Sequence, residues 1–363
     1  MYHRLPILFF LLFTISCSSS SPSSGARPVG QPGSKFTLTP AIDFDGDYHV
    51  EVIDVDAFFV ATAAPVDKRQ LGALRLVSGA DQLYVSGLTP GLLILNNEGQ
   101  EMQGSGDIKA QPGLLALSVW QNELAAVSPN EVVIWRDGVV ADRFSLPDSS
   151  HFPDTTGFSP RRFVFDDRRV LVPWSSHTEA GVMGTLYDRS GKFLKQIVDP
   201  NFDKNLLGLS QLTRTSLWDR EGEIWYQAYM FHPKLALYDP DMDQITTFRI
   251  DSPAILEYEH YFFAEDRTGI PNPNRKQPLF SDFAVFDKIG FLLGNGMLHR
   301  IELHSGEVIG RYRFRAPNHP RLREALQLKF TTLALRSDGS LVLGGGPAGN
   351  ELFTSKEAVF AGK

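Results

Sequence analysis

Only one of the 363 residues is cysteine, Cys17, which excludes an internal disulfide and any thiolate-rich zinc or iron–sulfur site. No apolar run reaches the ~20 residues that span a bilayer as a helix. Helix-favouring composition is also missing: 31 Gly and 23 Pro interrupt the chain, and 26 Phe point to a turn-rich β protein. Positive charge is short, with 35 Lys and Arg against 42 Asp and Glu and a net charge of −7. That balance argues against a nucleic-acid binder held by phosphate contacts. The nine histidines form no metal-binding pair with a carboxylate; His177 and His232 are the only two worth naming. Gly344-Gly345-Gly346-Pro347 lacks the following Lys-Ser/Thr of a phosphate loop, and no Gly-x-Ser-x-Gly elbow occurs. Asp43-Phe44-Asp45-Gly46-Asp47 has its glycine two positions too early for an EF-hand. Neither a metal nor a cofactor is indicated.

What is present begins with an address. Arg4 and the terminal amine precede an apolar stretch, Leu5 to Ile15, of about a dozen residues, which reads as a secretory signal peptide over 1–16. Cys17 follows directly. Thr14-Ile15-Ser16-Cys17 resembles the lipobox of bacterial lipoproteins, with Thr14 where leucine is commonest. The resemblance implies that Cys17 is acylated and becomes the N-terminus, anchoring the chain to a membrane of the bacterial cell envelope, the outer membrane being compatible with Ser18. Residues 17–35 then form a flexible Ser/Gly/Pro tether with an r.m.s. reach of about 20–25 Å.

From residue 36 to 363 the sequence repeats. A polar turn followed by a strand occurs as Gly79–Val85, Gln121–Ala125, Asp166–Val172, Asp219–Trp225, Asp287–Leu293 and Ser337–Leu343. Most copies lead into a hairpin with a glycine turn: Glu98-Gly99, Asp137-Gly138, Ser190-Gly191 and Ser305-Gly306. The fourth turns instead through Asp239–Asp243. Four-stranded antiparallel units repeated radially predict an all-β, six-bladed β-propeller. The strand near His49–Val55 has no unit of its own and is expected to close the last blade.

Leu92–Gln100, then Gly104-Ser105-Gly106 and Gln111-Pro112-Gly113, is similar to the first blade of bacterial six-bladed propeller lipoproteins, in a degraded form. NHL-type and strictosidine-synthase-like propellers share the blade pattern. The resemblance implies architecture rather than activity. With Asp282 as the single acid expected at the starts of the inner strands, a non-catalytic binding or interaction module is expected, monomeric or part of an envelope complex. The alternative is a lactonase-like propeller hydrolase, whose family holds a metal in the central channel.

Inter-blade segments at Pro147–Ser159, Asp199–Ser210, Asp251–Phe280 and Ala316–Leu328 are long, whereas turns on the opposite face are short. Long loops on a rigid scaffold point to a ligand site on the elaborated face. There the inner strands are expected to start with Arg75, Arg161, Arg214 and Lys329, against Asp282 as the single acid. Arg161 and Arg214 at the channel mouth, with Tyr229, His232 and Asp282 nearby, are the candidate ligand-binding residues. A basic mouth suits a small anion or a glycan, and a protein ligand is the remaining option. Ala254–Asp266 and Arg321–Leu326 are possible short helices on that face.

Cys17→Ser should move the protein from the membrane pellet into the soluble fraction. A pelleted variant, together with an unmodified Cys17 in the parent by mass spectrometry, would contradict the anchor.

Overall fold

The computed structural model describes residues 50–60, 74–87, 91–102, 116–128, 130–146, 162–173, 182–198, 216–230, 233–250, 279–294, 296–325, 328–345, 351–355 and 359. Every regular element among them is a β-strand. Cys17, Arg161, Arg214 and His232 lie outside the described residues, as do Ala254–Asp266 and most of the long inter-blade segments.

The strands follow one another as antiparallel meanders. The first holds β2 (Arg75–Ser78), β3 (Gln82–Ser86) and β4 (Leu92–Asn96). The second holds β5 (Ala116–Trp120), β6 (Glu123–Val127), β7 (Glu131–Arg136) and β8 (Val139–Ser145). Next come β9 (Val164–Phe165), β10 (Arg169–Pro173), β11 (Val182–Asp188) and β12 (Phe193–Val198). Then follow β13 (Ser216–Glu221), β14 (Ile224–Tyr229), β15 (Lys234–Tyr238) and β16 (Gln244–Arg249). The meander β17 (Asp282–Phe286), β18 (Ile289–Gly294), β19 (Met297–Glu302) and β20 (Val308–Arg315) precedes the last, β21 (Thr332–Leu335), β22 (Leu341–Gly344) and β23 (Glu351–Ser355). The arrangement is propeller-like and all-β, as the repeat predicts.

Burial explains the strand sequences. Middle strands are apolar on both faces because each sheet is covered on both sides: Val132, Val133, Ile134 and Trp135 in β7 are all buried. Outer strands have one wet face, and β8 alternates accordingly. Among the described residues six apolar clusters fill the gaps between successive meanders. One, for example, joins Val77 and Ile94 to Leu117 and Trp135. Another joins Leu76 and Leu83 to Ala334 and Leu352, bringing the last meander onto the first. The first strands follow the same circuit: β2 lies against β5, β5 against β9, β9 against β13, β13 against β17, β17 against β21, and β21 against β2.

The hairpin turns are built as the sequence suggests. Asp137 and Gly138 both take positive φ, at 51° and 80°, the geometry whose twist matches paired strands. At Gly191, φ is 86° and an added Cβ would lie 2.6 Å from the Phe144 side chain of the neighbouring meander. Glycine is required there for conformation and for closeness together.

β1 (Glu51–Val60) has two partners. Its second half pairs antiparallel with β23, Val55 opposite Ser355 and Val60 opposite Glu351. Its first half pairs in parallel with β20, Glu51 opposite Tyr312 and Asp54 opposite Arg315. β1 therefore joins the last two meanders into one eight-stranded sheet. The sequence predicts the β23 contact but not the parallel one. Arg315 secures that half through a two-pronged contact to Asp54, at 2.8 and 3.0 Å.

Two local expectations change. Arg321–Ala325 forms turns, not a helix; Arg323 N donates to His319 O and Ala325 N to Leu322 O. His319 holds that segment: its Nδ1 accepts from the Arg321 and Leu322 amides, leaving Nε2 to donate to Glu351 at 2.8 Å. Among the described residues β21 starts later than expected, at Thr332, with Lys329 exposed before it.

His299 in β19 is 5% exposed, and its Nδ1 has no hydrogen-bond partner among the described residues. Burial, helped by the Arg311 charge, lowers its pKa from 6.5 to about 3. The folded state therefore keeps it neutral, while the unfolded chain takes up a proton below about 6.5. Stability from this site is complete above that pH and drains away as the pH falls. Lowering the pH from 7 to 5 should cost about 2 kcal/mol through His299. Denaturant unfolding of His299→Gln should show a pH slope flatter by that amount; an unchanged slope would refute the assignment.

Candidate binding groove on the short-turn face

The axis around which the first strands gather is occupied by charge. Arg162, 8% exposed and bridged to Leu117, extends from the third meander. Its Nε donates to Asp282 Oδ1 at 3.1 Å, and its Nη2 donates to the Leu333 carbonyl. Its Nη1 stands 3.7 Å from Asp219 Oδ2. One side chain thus ties β13, β17 and β21 to the third meander.

Asp282 is fully buried and its oxygens are saturated. Oδ2 accepts from Thr332 Oγ1 at 2.6 Å and from Leu333 N at 2.8 Å, and Oδ1 also accepts from its neighbour Phe283 N at 2.9 Å. Asp219 accepts from Val285 N at 2.8 Å and Arg220 N at 2.9 Å. Burial raises the Asp219 pKa, while Arg162 and the two amides act in the opposite direction. Among the described residues the axis therefore carries two acids, Asp219 of β13 beside Asp282, where the sequence suggests Asp282 alone.

Among the described residues three cavities lie at or beside this axis, walled by the short turns. The axial one, about 280 Å³, is lined by Val77, Val119, Arg162, Asp219, Val285 and Arg336 among others, drawing on all six meanders. A second, about 480 Å³, lies between the first two meanders, with Gly79, Tyr84, Gln121, Asn122 and Trp135 in its wall. The third, about 460 Å³, is lined by Trp120, Gln121, Arg169, Arg220, Glu223 and Trp225. The cavities share walls. Gly79 and Val119 border the first two, Gln121 the second and third, and Arg220 the third and first. Together they make one groove across the face of the short turns.

Its aromatic floor is fixed by stacked cations. The Arg220 guanidinium lies 5.0 Å from the Trp120 ring centroid and 5.9 Å from that of Trp225, while Arg169 sits 5.7 Å from Trp225. Arg220 Nη1 donates to Phe165 O at 2.7 Å, and its Nη2 donates to Gly222 O. Burial lowers the Arg220 pKa. Beneath the second cavity, Glu123 receives Arg136 and Arg189, the latter at 2.8 and 3.0 Å. Burial pushes its carboxyl up, but the two guanidinium groups outweigh that and hold it below the ordinary range.

Of the residues singled out from the sequence, Tyr229 is buried in the cluster of Trp218, Met183 and Tyr238, at the end of β14 opposite Ser216. Asp282 is in the axial network, paired with Arg162. Arg75 is buried and Nη1 donates to Leu74 O at 3.2 Å. The described cavities open by the short turns, opposite the face that the long loops favour. Trp120 and Arg220 were not singled out, although each sits beside a copy of the repeated turn, Gln121-Asn122 and Glu221-Gly222.

No family model matches the chain, and no curated protein sequence matches it. Among solved structures the chain is similar to the crystal structure of Myxococcus xanthus glutaminyl cyclase, at 10% sequence identity and a TM-score of 0.36. That match covers 66% of this chain and 88% of the other.

Removing Arg162 alone leaves two carboxylates at the axis without their cation. Arg162→Met should cost about 3–5 kcal/mol in denaturant unfolding. Asp282→Asn added to it should recover part of that loss; simple additivity would contradict the network.

Proposed function

We propose that the chain is a lipid-anchored, extracytoplasmic six-bladed β-propeller that serves as a non-catalytic binding module, with its ligand site in the short-turn groove. The count of six is supported by the six apolar clusters, each between successive meanders, and by the circuit of first strands. In this reading β1 supplies the outer strand of the last blade. Cys17 carries the acyl anchor, and residues 17–35 let the body stand off a bacterial membrane, the outer membrane by preference. The protein acts alone or within an envelope complex, without nucleic acid.

The observation that carries the binding role is the groove itself: contiguous cavities with a stacked aromatic floor and exposed polar rims at Asp81, Gln121, Asn122 and Glu223. A metal-dependent hydrolase in the central channel fits the donor set poorly. Asp219 and Asp282 are the two carboxylates at the axis, and the Arg162 guanidinium is bonded to one and beside the other. Among the described residues no group of three metal-ligating side chains is assembled. A divalent cation would have to displace a buried arginine to reach them.

The full-length protein, incubated with simple lactones, phosphate esters and oligosaccharides with and without calcium, should leave every compound chemically unchanged. Calcium-dependent ring opening of a lactone, lost in Asp282→Asn, would replace the binding role by the hydrolase.

A further inference from the structure

We draw no further inference here: the strongest candidate, the axial cavity walled by Arg162 and Asp219, belongs to the groove already described, and both groups are engaged within the fold, Arg162 by Asp282 and the Leu333 carbonyl and Asp219 by the Val285 and Arg220 amides.

Discussion

A chain of radially arranged sheets has to join its last meander to its first, and in this protein β1 carries much of that burden. Ten residues near the start of the described chain lie between strands contributed by its last third, parallel to β20 and antiparallel to β23. Without β1 the edges of both strands would be open. Its side chains also serve the core: Val55 is buried, and Phe58 and Phe59 pack on the cluster that joins the last meander to the first. Arg336 stacks over Phe58 at 4.3 Å.

The same circular constraint explains the centre. First strands converge on an axis where Arg162 and Asp282 are buried and must find partners. Arg162 meets this demand by reaching two carboxylates and a carbonyl from three other meanders. A buried charge is tolerated only when fully paired. The stacked Arg220, Trp120 and Trp225 lie apart from this network, in a cleft between the short turns.

Elements set by local pattern were legible in the sequence. Asp137-Gly138 and Ser190-Gly191 announce their hairpins because only a few residue types reach those backbone angles. Val132–Trp135 announces a strand covered on both faces. Features set by register were harder. Arg162 was passed over because which residue ahead of β9 reaches the axis depends on register, which no local pattern records. Asp219 was passed over because only the packing of β13 against the third meander brings it beside Arg162. The parallel pairing of β1 with β20 has no local signature, since it depends on where a strand already paired to β23 crosses to the next sheet. The stacking of Arg220 on Trp120 joins strands of the fourth and second meanders, so no local pattern announces it.

Closure by β1 is the claim on which the ring depends, and a disulfide reads it directly. Val55 and Ser355 face each other across an antiparallel pair, a spacing compatible with a cross-link. In a full-length Cys17→Ser background, Val55→Cys with Ser355→Cys should form an intramolecular disulfide under mild oxidation. The linked protein should resist denaturant by about 2–4 kcal/mol more than its reduced form. Two thiols that stay free in the folded, oxidised protein would show that β1 does not lie against β23, and the closed ring would have to be abandoned.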